Sequence, residues 1–150
     1  MNRVAILAEE DPPPSWAEQA HRFILSVLDR LRQDRWDVSA LFCGDRYIRD
    51  LNARFRGKDE ATDVLSFELG ETLGEDGEIR RLGDIVISLE TLGENARYFQ
   101  VSADEELRRL LIHGILHLYG MDHATNADIE PMLLLQENLL AELGAERILS

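Results

Sequence analysis

Three of the chain's four histidines lie within eleven residues, and their spacing constrains the fold more than any other feature. The segment reads His113-Gly-Ile-Leu-His117-Leu-Tyr-Gly120-Met-Asp-His123, or H-x-x-x-H-x-x-G-x-x-H. Residues four positions apart share one face of an α-helix, so the first two histidines are predicted to stack. Gly120 is predicted to adopt a positive φ, end the helix and turn the chain so that His123 joins them.

Three imidazoles with an open fourth position are typical of a catalytic zinc site rather than a structural one. Between Leu110 and Leu118, only His113 and His117 carry strongly polar side chains. Burying two unpartnered imidazoles costs about 1–3 kcal/mol each, and a shared metal removes that cost. We therefore predict that His113, His117 and His123 bind one zinc ion, although nickel, copper, cobalt and iron also bind imidazoles. The alternative is two core histidines and one surface histidine.

A zinc ion with an open position lowers the pKa of water toward about 7, which predicts a hydrolase. The same histidine spacing occurs in zinc peptidases, where a glutamate after the first histidine is the general base. Gly114 stands at that position and cannot accept a proton, so a peptidase or amidase is the least favoured hydrolase. Asp122 and Asp84 are candidates to accept a hydrogen bond from a ligand histidine, and Asp84 is also a candidate general base.

The charge distribution allows two interpretations. The net charge of −13 argues, taken alone, against nucleic-acid binding, because a negative field repels phosphate. Between positions 46 and 58, however, five basic side chains stand against Asp50 alone: Arg46, Arg49, Arg54, Arg56 and Lys58. This segment is either a phosphate-binding path for RNA or a solvated helix face.

The length of 150 residues predicts one domain, residues 1–150. No apolar run approaches the roughly 20 residues of a membrane span, and the N-terminal apolar stretch is too short for a signal peptide. The single cysteine, Cys43, permits no intrachain disulfide and is predicted to be a buried strand residue. We therefore expect a cytoplasmic protein that does not contact membranes.

Hydrophobic periodicity predicts the element order β-α-β-α-β-β-α-α-α. Strands are expected over residues 3–8, 38–43, 62–68 and 84–89, and helices starting near residues 15, 44, 91, 102 and 128. Ser15 with Glu18, and Ser102 with Glu105, each match a capping box at a helix start. Residues 70–82 are expected to form a loop or hairpin. Early strands followed by consecutive helices favour an α+β fold, in which helices, including a zincin-like metal-site helix, pack on a small mixed sheet.

The histidine segment resembles the signature H-G-x-L-H-L-x-G-x-D-H of the YbeY family, bacterial metal-dependent endoribonucleases of ribosomal RNA maturation. Residues 56–67 are similar to the family's run R-G-K-D-x-x-T-D-V-L-S-F, and residues 83–88 to its strand G-D-I-x-I-S. The resemblance covers about Leu41 to Leu140, with the segments in the family's order. Ala61 and Glu68 stand where the family often has proline, so we expect altered local backbone there without loss of chemistry.

The resemblance implies a mixed four-stranded sheet with surrounding helices, a zinc site at the three histidines, and a functional arginine at Arg56. It implies cleavage of single-stranded RNA in small-subunit ribosomal RNA 3′-end processing and ribosome quality control. The small ribosomal subunit and its assembly proteins would be partners; DNA and membranes would not. The catalytic set would be Arg56, His113, His117 and His123, with Arg56 binding the scissile phosphate or stabilising its developing charge.

Several alternatives stay open at this point. The nucleophile is either water or the neighbouring ribose 2′-hydroxyl. The protein is either this nuclease or a non-catalytic ribosome-assembly factor whose metal is structural. Arg56 either binds phosphate or forms a surface ion pair with Asp59 or Asp63. Tyr47 and Phe55 are predicted to pack inward from their helix; the alternative is that they stack RNA bases.

Overall fold

The computed structural model describes residues 1–10 and 12–150, and its elements follow the predicted order. The four strands are β1 (Arg3–Ala8), β2 (Trp36–Cys43), β3 (Val64–Leu73) and β4 (Ile79–Ser88). The five helices are α1 (Ala17–Arg30), α2 (Asp45–Arg56), α3 (Leu89–Phe99), α4 (Ala103–Leu118) and α5 (Pro131–Glu142). None of these helices combines the length and the apolar character that crossing a membrane requires.

The strands form one mixed sheet in the order β1-β2-β4-β3. β1, β2 and β4 are parallel neighbours, and β3 runs antiparallel to β4 at the edge. Parallel neighbours need a crossover, which α1 supplies between β1 and β2. The predicted α+β class, with a mixed four-stranded sheet and packed helices, is confirmed.

The two faces of the sheet are covered unequally. Strand residues such as Val38, Ala40 and Ile85 are fully buried in the main core, to which α1, α4 and α5 also contribute. The opposite face carries a smaller cluster around Ile48 of α2 and Val86 of β4. Since strand residues alternate between faces, the side chains of β4 separate into two environments, which matters for Asp84 below.

Helix α4 packs closely on β4. A Cβ atom added at Gly114 would lie 2.9 Å from Cγ2 of Ile85, so only glycine allows this approach. Ser102 caps the helix, its hydroxyl accepting from the Glu105 amide at 3.0 Å, as predicted. The helix start and the glycine contact together fix where the histidines of α4 stand relative to the sheet.

The predicted capping box at Ser15 is wrong. α1 begins at Ala17 after Trp16, with no side-chain cap. The Ala17 amide instead donates to the carbonyl oxygen of Pro14 at 3.0 Å, and the Trp16 ring packs edge-on against Phe42 at 4.8 Å. The start of the helix therefore has a backbone hydrogen bond and a tertiary aromatic contact in place of the predicted side-chain cap.

Two other boundaries differ from prediction. β3 continues past Glu68 through a register irregularity between Glu68 and Gly70. Residues 70–82 mostly form the arms of a hairpin closed by a turn at Gly74, which is one of the two forms predicted for this segment. α5 begins at Pro131 rather than near residue 128, because proline suits the first position of a helix. Cys43 is buried at the end of β2, as predicted.

Candidate active site

The end of α4 delivers all three histidines to one place. His113 and His117 lie one turn apart on the same face of the helix. The amides of Gly120 and Met121 then donate to the carbonyl oxygens of His117 and Leu116, both at 3.0 Å, in a Schellman motif. Gly120 adopts φ +101°, and the chain turns back as predicted.

The three imidazoles converge. Nε2 of His113 lies 3.1 Å from Nε2 of His117. One ligand atom from each of His113, His117 and His123 lies within 4.8 Å of the other two. The rings meet at steep angles instead of stacking flat, with the His113 and His117 centroids 4.7 Å apart at 73°. The cluster predicted from spacing therefore exists in the fold.

Hydrogen bonds fix the tautomers of two of these rings. Nδ1 of His113 lies 2.6 Å from Oε1 of Gln136, and Nδ1 of His123 lies 2.8 Å from the carbonyl oxygen of Thr125. A carbonyl oxygen only accepts, so each Nδ1 carries the proton and each Nε2 keeps its lone pair. Together with His117, whose Nε2 lies 3.1 Å from that of His113, these rings form a three-imidazole donor set that suits a zinc ion.

Burial supports the neutral state of the cluster. Desolvation lowers the pKa of His113 and of His117, and in each case a neighbouring histidine lowers it further. Hydrogen bonding to Gln136 opposes the shift at His113 without reversing it. Because only neutral imidazole binds a metal, the apolar setting keeps both ligands ready at neutral pH.

The structure places the two predicted aspartates differently. Oδ1 of Asp122 accepts from the His123 amide at 2.8 Å and lies 4.0 Å from Nδ1 of His117, so it shapes the turn without bonding either ring. Asp84 accepts from the hydroxyl of Ser39. It points to the α2 side of the sheet, whereas the next residue, Ile85, faces Gly114 of α4. Asp84 as a partner of the histidines, or as their general base, is therefore wrong.

Gly114 also explains why the peptidase motif is incomplete here. In that motif the residue after the first histidine supplies the base, but in this fold that position packs directly on Ile85. A glutamate at residue 114 would collide with the sheet rather than reach the histidines. Packing as well as chemistry therefore argues against a peptidase.

Arg56 faces the histidines across a cavity of about 660 Å³. The cavity is lined by Phe55, Arg56, Val64, Leu65, Ser66, Phe67, Glu68, Leu69, His113 and His117. Nη2 of Arg56 donates to the carbonyl oxygen of Ser66 at 2.6 Å, and the guanidinium lies 5.0 Å over the Phe67 ring. The Ser66 hydroxyl donates to the carbonyl oxygen of Gly114 at 3.1 Å, so β3 links the arginine to the histidine helix.

The surface-pair alternative for Arg56 is wrong. Asp59 pairs instead with Arg49, at 2.8 Å, and Asp63 accepts from Asn95 and from the Val64 amide. Of the side-chain contacts made by the described residues, Arg56 keeps only a backbone carbonyl and an aromatic face. Its remaining N–H groups are therefore free for an anionic group in the cavity.

The five basic residues do not form one continuous strip. Arg46 and Arg49 line a separate surface cavity, whose other residues are mostly acidic: Asp45, Asp50, Asp59, Glu60, Ala61 and Glu90. Arg54 and Lys58 are exposed and form no ion pair with the described residues. Of the five, only Arg56 lines the histidine cavity.

Tyr47 and Phe55 do not pack inward as predicted. They are 36% and 57% exposed, and they border an apolar groove of about 290 Å³ on the thinly covered face of the sheet. Phe55 contacts Phe67 edge-on, with ring centroids 5.6 Å apart, and also lines the histidine cavity. Both residues lie on the helix face that the spacing predicts, but the sheet under α2 leaves part of this face open.

Sequence reasoning missed two hydrogen-bond partners of the histidines. Gln136 belongs to the buried side of α5 together with Met132, Leu139 and Leu140, and a lone polar residue in such a stripe is a usable signal. The Thr125 carbonyl belongs to a loop and leaves no trace in residue type. Both contacts depend on how the segments after α4 fold back.

Comparisons with known proteins identify the family of this chain. Residues 8–144 match the family model described as Endoribonuclease YbeY. Proteins named Endoribonuclease YbeY from Treponema pallidum strain Nichols and Treponema denticola are 46% and 47% identical, over 95% and 94% of this chain and 90% and 93% of theirs. The solution structure of TM1509 from Thermotoga maritima superposes with a TM-score of 0.65 at 30% identity, covering 95% of this chain and 90% of that one. The chain therefore belongs to the YbeY family, as its three sequence segments predicted.

Proposed function

We propose that this chain is a zinc-dependent endoribonuclease that cleaves single-stranded RNA in ribosomal RNA maturation. The single observation that carries the proposal is the cavity that Arg56 shares with His113 and His117. A metal-ligand cluster opposite an unpaired guanidinium is suited to bind and polarise a phosphodiester. Membership in a family of endoribonucleases agrees with this chemistry.

The residues divide the work between the two walls of the cavity. His113, His117 and His123 would hold the zinc ion through Nε2. Zinc bound there would supply a Lewis acid for a phosphate oxygen and would lower the pKa of a water molecule. Arg56 binds the scissile phosphate and stabilises the charge that develops on it, since a guanidinium keeps its charge and matches phosphate geometry.

The surface around Arg56 offers a short path for RNA within an acidic molecule. Arg54 and Lys58, which flank Arg56 in the sequence, contribute exposed positive charge, and the exposed ring of Phe55 offers a face on which a base stacks. Arg46 and Arg49 point into acidic surroundings and contribute less. A small basic patch favours an unpaired strand, which bends into a cavity more easily than a duplex does.

We further propose that the substrate is the small-subunit ribosomal RNA near its 3′ end, reached in the cytoplasm on the small subunit or with its assembly proteins. The nucleophile, water or the neighbouring 2′-hydroxyl, is distinguished by the product ends. A 2′,3′-cyclic phosphate would identify attack by the ribose, since direct attack by water cannot form it. A 5′-phosphate next to a free 3′-hydroxyl would identify water.

The test is cleavage of a short, end-labelled single-stranded RNA by zinc-loaded protein, beside His117→Ala purified identically. We expect the wild type to cut and the variant, folded by circular dichroism, not to cut. Equal cutting by both would reveal a contaminating ribonuclease. RNA binding without cutting by zinc-loaded wild type would refute the nuclease and favour the non-catalytic assembly factor.

A further inference from the structure

Among the described residues, Gln136 is the one polar side chain on the buried side of α5, and it meets a histidine of the cluster. It is 7% exposed and lies in a stripe with Met132, Leu139 and Leu140. Its Oε1 atom is 2.6 Å from Nδ1 of His113, on the side of the ring away from Nε2 of His117. A glutamine buried in an apolar stripe needs specific hydrogen-bond partners, because burying an unsatisfied amide costs free energy.

The neighbours of Gln136 determine which way its amide points. Its nitrogen, Nε2, donates to Oε2 of Glu137 at 3.1 Å. That carboxylate also accepts from Nε and Nη2 of Arg109, at 3.0 and 3.1 Å. Arg109 is held in turn by Glu106 at 2.9 Å. An ionised carboxylate only accepts, so the amide nitrogen must face Glu137 and the amide oxygen must face His113.

The orientation of the amide then decides the state of the ring. An amide oxygen accepts, so Nδ1 of His113 carries the proton and Nε2 keeps the lone pair that faces His117 and His123. A reversed amide would offer N–H to Nδ1, select the opposite tautomer and direct a proton into the cluster. The chain from Arg109 through Glu137 to Gln136 blocks that reversal.

We propose that Gln136 is a positioning residue for the metal centre: it holds His113 as the Nδ1–H tautomer, and Glu137 and Arg109 lock its amide in the required direction. The proposal rests on the metal site of the proposed function, but its first consequence, the tautomer of His113, is a property of the metal-free protein. Gln136 touches neither substrate nor metal and acts through His113 alone.

The experiment compares Gln136→Met, which keeps length and apolar fit but removes the acceptor, with Gln136→Glu, which keeps an acceptor. Asn138→Met, at an exposed position of the same helix, is the matched control. Nitrogen-15 NMR of the imidazoles at pH 8, without metal, reports the tautomer, and competition with a chelating dye reports zinc affinity. If Gln136 only fills space, its replacement by methionine changes neither the tautomer of His113 nor the zinc affinity.

We expect the wild type, Gln136→Glu and Asn138→Met to show His113 protonated at Nδ1, and Gln136→Met to show a mixture of tautomers. Zinc affinity should fall about 10–100-fold in Gln136→Met, the range for losing an outer partner of a metal ligand. Unchanged tautomer and affinity in a folded Gln136→Met, beside a wild type that binds zinc, would overturn this inference alone. A wild type that binds no zinc would instead refute the proposed metal site.

If Gln136→Met does not fold, Glu137→Ala decides the question, because it changes an exposed side chain and releases the amide. The same spectrum is expected to show a partial loss of the Nδ1–H tautomer of His113. An unchanged tautomer population in Glu137→Ala would overturn the inference.

Discussion

The histidine wall of the cavity is half-buried and hydrogen-bonded on its far side, whereas the arginine wall is exposed and held by a strand backbone. His113 stands on a helix whose neighbouring residues are almost fully buried, and its outer nitrogen is bound to Gln136. Arg56 is the last residue of α2 and is fastened by one carbonyl and one aromatic ring. Metal ligands need fixed positions, while a group that grips a long, mobile substrate gains from reach. The difference teaches that one cavity can combine a wall fixed by packing with a wall fixed by two contacts.

The largest effect should come from the exposed wall. Arg56→Ala is expected to lower the rate of RNA cleavage by about 10²–10³-fold, the usual effect of removing one donor to a charge that develops in the transition state. Arg56→Lys should fall between, because an ammonium keeps the charge but loses the planar fork. Single-turnover cleavage of a labelled RNA measures both.

Zinc content is the control for Arg56→Ala, because it shows whether the arginine wall and the histidine wall act independently. If the two walls are independent, Arg56→Ala binds zinc as tightly as the wild type does. Loss of zinc together with activity would show that the link through Ser66 to Gly114 couples the walls, and the comparison would fail.

On the histidine wall, the next largest effect should come from overpacking the contact between α4 and the sheet. Gly114→Ala places a methyl group 2.9 Å from Cγ2 of Ile85, a fully buried side chain, so the packing there must shift. We expect a loss of about 1–3 kcal/mol in the free energy of unfolding, as in other overpacked cores, measured by urea denaturation of the metal-free protein.

The same substitution in α3 should have the opposite sign. A Cβ at Gly93 would meet only Nη1 of Arg97, at 3.6 Å, so Gly93→Ala should gain about 0.5–1 kcal/mol from lower chain entropy. Equal effects at residues 93 and 114 would mean that α4 can shift on the sheet, contrary to a rigid histidine wall.

What the sequence predicted follows the same division. The histidine cluster depends on helix geometry and on one glycine, both of which are local, so the spacing of His113, His117 and Gly120 was sufficient. The element order was equally accessible, because periodicity reports local burial. Residue roles that depend on segments distant in the chain were not accessible: Gln136, which reaches His113 from α5, and Thr125, which contributes only its backbone.

Asp84, Tyr47 and Phe55 show a second limit. Each was assigned from its own element, Asp84 by proximity to a strand start and the aromatics by helical spacing. Their true surroundings depend on which face of β4 meets α4 and on how much of the sheet α2 covers. Those facts are tertiary, and no pattern within a single strand or helix contains them.

The charges beside Arg56 should act weakly and additively on RNA binding. The slope of log affinity against log salt is negative. Removing Arg54 or Lys58 is expected to reduce its magnitude by about 0.7 for each lost phosphate contact. Fluorescence anisotropy in the His117→Ala background measures the slope without cleavage. Arg49→Ala is the matched control. The Arg49 guanidinium already pairs with Asp59, so its removal should leave the slope unchanged. A change as large for Arg49 as for Arg54 would indicate a longer RNA path.

The smallest expected effect is a pH dependence of the free energy of unfolding, and it involves the histidine wall alone. Burial lowers the pKa of His113 and of His117 below the ordinary 6.5. The unfolded chain therefore binds more protons than the folded one near and below that value, so folding is favoured as pH rises. The contribution is complete above about pH 6.5 and is lost as pH falls through the lowered pKa values. Urea unfolding of the metal-free protein at pH 7.5 and 5.5 should show lower stability at pH 5.5.

Comparison with His117→Ala isolates the histidine contribution. Burial raises the pKa of Glu106, a change that works in the opposite direction because it favours folding at the acid end of the range. That group is present in both proteins and cancels in the difference between them. His117→Ala should therefore lose less stability between pH 7.5 and 5.5 than the wild type does. An equal loss in both would mean that burial does not lower the pKa of His117 in the metal-free protein.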